Sequence, residues 1–155
     1  MARYSASRVL LALLLALLVG VAAAGPTDAH RGDGKRRVWR VVKEHLDALN
    51  ACDIRRLMAQ HPPSVTFFGT GGYVARGRDD VEGMYKAFCK RDGLAPFRFK
   101  VLEAHRLGST LFVRYRFTSP KLTRPYVGSD AYGTRGDKLV RIVSTFDKSE
   151  LKTRD

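Results

Sequence analysis

Residues 97–146 read FRFKVLEAHRLGSTLFVRYRFTSPKLTRPYVGSDAYGTRGDKLVRIVSTF, and this stretch decides the fold. Apolar and polar side chains alternate along it in four runs, Phe97 to Arg106, Thr110 to Thr118, Tyr126 to Thr134 and Lys138 to Phe146. That two-residue period predicts strands half buried in a sheet. Leu107-Gly108-Ser109, Ser119-Pro120 and Arg135-Gly136-Asp137 are turn residues, so the four strands read as an antiparallel meander. Parity sorts the faces. With Phe97, Phe99, Val101, Val113, Tyr115 and Phe117 inward, Arg98, Lys100, Arg114 and Arg116 share the outer face. On the inner side Tyr132, Ile142, Ser144 and Phe146 join Phe99 and Tyr115.

Upstream the period changes from two to three and four. Val38, Val41, Val42, His45, Leu46 and Leu49 form one helical stripe, which contains a histidine. Asp53 is placed to cap a short second helix with Ile54, Leu57 and Met58 on its apolar face, ended by His61-Pro62-Pro63. Ser64 to Phe68 is strand-like and Gly69-Thr70-Gly71-Gly72 is a turn. The turn lacks the Lys-Ser/Thr ending of a nucleotide loop. Asp79 or Asp80 is expected to cap a third helix carrying Val81, Met84, Tyr85 and Phe88, with Asp92-Gly93 as its stop. Helices first and a meander second is the α+β pattern, in one domain with no internal repeat.

Arg3 and Arg8 precede an apolar run from Val9 to Ala24 that ends in three alanines, the build of a secretory signal peptide; an uncleaved signal anchor is the alternative. The expected organisation is a signal peptide at 1–24, a flexible leader at 25–36, the folded domain at 37–147 and a tail at 148–155. The chain of 155 residues carries 28 Lys+Arg against 15 Asp+Glu, a formal charge of +13, and loss of residues 1–24 leaves +11. An anionic partner or surface follows from that balance, although no nucleic-acid motif accompanies it. Two Arg-Gly-Asp triplets, at Arg31 and Arg135, read as turns. The two cysteines, Cys52 and Cys89, are expected to be a disulfide in an oxidising compartment, with two buried thiols as the alternative. Neither has a Cys or His two to four residues away, so no metal site is expected, and no cofactor.

Three segments resemble the nuclear-transport-factor-2-like superfamily, in its SnoaL-like and ketosteroid-isomerase-like branch. They are His45-Leu46-Asp47-Ala48-Leu49-Asn50-Ala51-Cys52-Asp53-Ile54, then Val74-Ala75-Arg76-Gly77-Arg78-Asp79-Asp80-Val81, and finally Gly128-Ser129-Asp130-Ala131-Tyr132 through Gly136-Asp137-Lys138-Leu139-Val140. The resemblance spans about Val38 to Phe146 and implies a curved antiparallel sheet wrapped around the helices, a cone with a pocket inside. It implies that the helices carrying Cys52 and Cys89 pack together, and that homodimerisation through the open sheet face is available.

The isomerases of that branch set a tyrosine on the first helix and a carboxylic acid on a late strand against a developing oxyanion. His45 matches the first position and Asp130 the second, while the residue matching their proton-abstracting carboxylate is Phe68, which cannot take a proton. Two readings of His45 and Asp130 stay open: a catalytic pair in which the carboxylate orients the imidazole, and a structural pair within a binding pocket. The pocket is expected to be lined by Phe68, Phe99, Tyr115, Tyr132, Ile142, Ser144 and Phe146, with Trp39, Met84, Tyr85 and Phe88 able to close it. The expected function is that of a secreted pocket protein for a small hydrophobic ligand, with cyclase- or isomerase-type proton transfer as its chemistry. The competing reading is a non-enzymatic protein whose basic face, Arg98, Lys100, Arg114 and Arg116, docks on an anionic partner or surface.

Overall fold

The computed structural model describes residues 28–90 and 94–154, with backbone alone for residues 28–33 and 35. The export segment at 1–24 and the Asp92-Gly93 helix stop lie outside the described residues. The described residues from 32 onward belong to one compact unit, and 28–31, described as helical backbone, fall outside it.

Helix α1 runs Asp28–Asn50. It begins within the stretch expected to be a flexible leader, and Gly32 and Gly34 do not stop it, although each costs about 1 kcal/mol against alanine in a helix interior. The expected stripe is its buried face: Val38, Val41, Val42, His45, Leu46 and Leu49 are all buried. Its end is pinned to the sheet by Asn50, whose Nδ2 donates to the Phe99 carbonyl at 3.0 Å while its Oδ1 accepts the Phe99 N–H at 2.6 Å. Cys52 then turns the chain with φ 48°, and Asp53 caps α2 (Ile54–Ala59) by accepting the Arg56 N–H at 3.0 Å.

Helix α3 (Arg78–Phe88) is capped differently from expectation. Gly77, at φ 84°, is the N-cap, and Asp79 and Asp80 fall in the first turn, where carboxylates suit the positive end of the helix dipole. The disulfide between Cys52 and Cys89 ties the end of this helix to the α1–α2 connection, with Cα atoms 5.7 Å apart.

Six strands form one sheet: β1 (Thr66–Phe68), β2 (Val74–Arg76), β3 (Arg98–Leu107), β4 (Thr110–Thr118), β5 (Tyr126–Arg135) and β6 (Lys138–Ser144). Their order is β2-β1-β6-β5-β4-β3. The four long strands are the expected antiparallel meander. The sheet as a whole is mixed, because β1 runs parallel to β6 and antiparallel to β2. Register shifts, at Leu102 between Val101 and Glu103 and at Val140 opposite the Gly133–Thr134 step, turn the alternation over within β3 and β6. The first puts Glu103 on the outer face beside Arg114.

The inner face is sealed by aromatic rings from strands and helix. Phe88 meets Phe97 at 4.8 Å between centroids, and Phe99 meets Phe117 at 4.8 Å and Tyr115 at 4.9 Å, mostly edge to face as ring quadrupoles prefer. Phe146 closes the group at 5.1 Å from Phe117. Beyond β6 the expected tail is tied down: Lys148–Glu150 is a short 3-10 turn capped by Asp147, and the Arg154 N–H donates to the Lys121 carbonyl at 2.8 Å. No helix among the described residues is long and apolar enough to cross a membrane.

Candidate functional site

Between the inner sheet face, α1 and α3 lies a cavity of about 460 Å³. Its walls are apolar, from Leu49 on α1, Met84 and Phe88 on α3, and Phe67, Phe99, Ile142 and Phe146 on or beside the strands. Polar groups gather at one part of the lining: His45, Tyr85, Asp130, Tyr132 and Ser144. Gly69, Thr70, Tyr73, Ala87, Asp147 and Lys148 complete it.

Of the expected lining, Phe99, Tyr132, Ile142, Ser144 and Phe146 are in place, as are Met84, Tyr85 and Phe88. Trp39 is not part of the lining. Phe68 is a correction: its neighbour Phe67 faces the cavity instead. Parallel pairing with β6 sets Phe67 opposite buried Ile142 and Phe68 opposite Val143, which is 43% exposed, so Phe68 belongs to the outer face. Tyr115 is a second correction. It is fully buried behind the lining, opposite Gly128, where an added Cβ would lie 2.7 Å from the Tyr115 hydroxyl. Glycine there makes the room that the tyrosine ring occupies. Arg98, Lys100, Arg114 and Arg116 are exposed on the face away from the cavity, and Arg114 Nη1 donates to Glu103 Oε1 at 2.9 Å.

His45 and Asp130 line the same cavity, as the resemblance implies, but they do not bond each other. His45 Nδ1 meets Gln60 Oε1 at 3.3 Å and His45 Nε2 meets the Tyr85 hydroxyl at 3.2 Å. Burial, with His61 alongside, holds the imidazole near pKa 3, and it is therefore neutral. With the Gln60 oxygen as acceptor its proton sits on Nδ1, and Nε2 accepts from Tyr85. Asp130 is served from its own strand: the Tyr132 hydroxyl donates to Oδ2 at 2.8 Å. The Tyr132 ring stands 5.5 Å from the His45 ring, centroid to centroid. Tyr132, two residues along the strand, shares Asp130's face of the sheet, and both His45 nitrogens are already engaged. The direct pairing expected from sequence is replaced by two adjacent polar units.

Asp130 is the group in this lining poised to exchange a proton near neutrality. Burial raises its pKa from the usual carboxylate range to about 6, against the pull of the Ser144, Tyr132 and Tyr115 hydroxyls around it. Its Oδ1 has no hydrogen bond of good geometry, and neither does the nearby Tyr115 hydroxyl. Burial, reinforced by the Asp130 charge, pushes the Tyr85, Tyr115 and Tyr132 hydroxyls far above their ordinary values, so they serve as neutral donors.

Sequence reasoning missed Gln60 and His61. His61 follows α2, is buried, and stacks on Tyr85 at 5.9 Å with rings 8° apart. Its Nδ1 meets the Leu139 carbonyl at 3.3 Å, Nε2 is unpartnered, and burial lowers its pKa to about 4. The helix-terminating prolines after it were its one local signal, and they speak of chain direction rather than chemistry. Among the described residues no group of three or more His, Cys, Asp or Glu side chains is placed to hold a metal.

Solved structures share this architecture at low identity. A polyketide cyclase candidate from Sinorhizobium meliloti superposes with TM-score 0.60 at 17% identity, covering 68% of this chain and 94% of that one. A ketosteroid isomerase candidate from Kribbella flavida gives 0.62 at 13%, covering 73% and 79%. An LEH-like epoxide hydrolase from M. tuberculosis gives 0.62 at 14%, covering 75% and 86%. These likenesses establish the fold and leave the chemistry to the site. No curated protein matches the chain. The model of the SnoaL-like domain matches residues 42–144, from the middle of α1 to the end of β6, and on that match the chain belongs to the SnoaL-like domain family.

Proposed function

We propose that this protein binds a small hydrophobic carbonyl compound in the cavity and moves a proton on it with Asp130. The observation that carries the reading is a carboxyl group with pKa about 6, whose Oδ1 lacks a hydrogen bond of good geometry, at the polar end of a largely apolar chamber. Such a group is ionised at neutral pH yet basic enough to accept a proton, the compromise that general acid–base catalysis favours. His45 is not the base in this scheme. Its Nε2 is taken by Tyr85 and it stays neutral, so it positions the Tyr85 hydroxyl at the cavity wall. Relatives of this fold described as a polyketide cyclase candidate and a ketosteroid isomerase candidate support the class of chemistry. The signal-like segment at 1–24 and the Cys52–Cys89 disulfide support action outside the cytoplasm. N-terminal sequencing of the exported chain is expected to begin at Gly25.

The test is deuterium exchange at the acidic carbon positions of β-tetralone, an apolar ketone, in buffered D2O. Wild-type protein is expected to accelerate exchange with a half-point near pH 6, the value of Asp130. Asp130→Asn is expected to retain binding of the ketone and lose exchange by about 10²–10⁴-fold. Binding without exchange in the wild type leaves a carrier and removes the enzyme, whereas exchange that survives in Asp130→Asn assigns the wrong residue.

A further inference from the structure

The outer face of the sheet carries an apolar row that sequence parity alone could not align. His105 pairs with Phe112, Phe112 with Ala131, Ala131 with Val143, Val143 with Phe68, and Phe68 with Val74. The row crosses all six strands, about 24 Å at the usual spacing between strands, with His105 its one polar member at the β3 end. Its large members stand in solvent: Phe112 is 47% exposed, Val143 43% and Val74 37%. On one side lie Arg114, Arg116, Lys100 and Arg98, and on the other Arg141 and Arg76, all exposed. The strands hold two acids in total, Glu103 and Asp130; Asp130 faces the cavity and Glu103 pairs with Arg114. Among the described residues the other five cations have no carboxylate partner.

We propose that this face docks on an anionic phospholipid surface, with the apolar row at the level of the acyl boundary and the flanking cations on the headgroups. This goes beyond the cavity reading and is independent of it. A second copy fits poorly, because a face with six cations and one acid repels its own image. A folded acidic protein would anchor its side chains in a pocket beneath the apolar row. Neither described cavity opens on that row: the first lies on the inner face, and the second, between Arg124 and Lys152, meets the sheet at Val127 beside Arg116. A lipid surface asks for no pocket. It offers a layer of negative headgroups above the acyl chains, so the apolar row can sink to the acyl boundary while the cations on either side of it stay among the headgroups.

The test is co-sedimentation of the exported chain with vesicles of phosphatidylcholine alone and with one quarter phosphatidylglycerol. Binding is expected with the anionic vesicles only and is expected to weaken in about 0.5 M salt, where screening shortens to a few ångströms. The Lys100→Glu, Arg116→Glu variant is expected to lose on the order of a hundredfold in apparent affinity, and Lys100→Gln, Arg116→Gln a smaller part of it. Phe112→Ser with Val143→Ser is expected to abolish the portion of binding that survives salt. All variants share one N-terminus, which isolates the sheet face, and far-ultraviolet circular dichroism verifies their fold. Three results overturn the proposal: no preference for anionic vesicles; polyglutamate competing as well as vesicles while the serine variant binds normally; or a dimer in sedimentation equilibrium that the serine variant dissolves.

Discussion

Acidification from about pH 7 to about pH 5 is expected to destabilise the fold by a calculable amount, because three buried groups titrate differently in the folded and unfolded chain. His45 and His61 take up protons near 6.5 when unfolded, but only near 3 and near 4 when folded. Their stabilising effect is therefore complete above the unfolded value and is lost as pH falls. Asp130 works the other way: its folded pKa of about 6 exceeds the 3.8 of a free aspartate, so acid restores stability that its buried charge costs at neutrality. Linkage over this window gives a loss of about 4 kcal/mol from the two histidines and a gain of about 1 to 2 kcal/mol from the aspartate. The net loss is about 2 kcal/mol, with a slope near pH 5 of about one proton. Urea unfolding at half-unit pH steps, with the disulfide intact, measures it. Asp130→Asn removes the opposing contribution, so its curve is expected to fall about twice as steeply as the wild type. A wild-type stability that is flat or rises over this window, or an Asp130→Asn curve parallel to it, refutes the assignment of these protonation states.

Two further outcomes follow from packing and covalent structure. Gly128→Ala is expected to cost about 1–3 kcal/mol, since its Cβ would lie 2.7 Å from the Tyr115 hydroxyl and 2.8 Å from the Tyr126 ring; urea midpoints measure it, and a neutral result would show that Tyr115 is free to move. Replacing both Cys52 and Cys89 with serine is expected to cost about 4 kcal/mol in the chain-entropy account for a separation of 37 residues, and non-reducing peptide mapping of the wild type should return them as one linked pair.

The meander was legible because its period-two alternation and its turns sit next to each other in sequence. The buried stripe of α1 was legible because a helix repeats every three to four residues. What parity could not supply was long-range pairing. Val74–Arg76 is too short to announce itself as a strand, and nothing in Ser64 to Phe68 says that β1 will lie parallel to β6. That pairing decides which of Phe67 and Phe68 faces the cavity, so the sequence reading chose the wrong phenylalanine. The register shifts past Val101 and Gly133 likewise have no local signature. At the site, His45 and Asp130 were found through position, and their partners were not. Gln60 and Tyr85 approach His45 from separate helical segments, and three-dimensional packing brings them within 3.3 Å.

The parallel contact between β1 and β6 also sets a schedule on the ribosome. The hairpins β3–β4, β4–β5 and β5–β6 join neighbours in sequence, but Thr66 pairs with Arg141 and Phe68 with Val143. As the chain emerges from its N-terminus, β1 and β2 leave the exit tunnel long before the strand that must receive them. Until β6 is made they can pair only with each other, and a two-stranded pair of that size does not hold itself together. The first strands to appear are thus among the last to find their place, and the final residues of the domain complete the wall of the cavity.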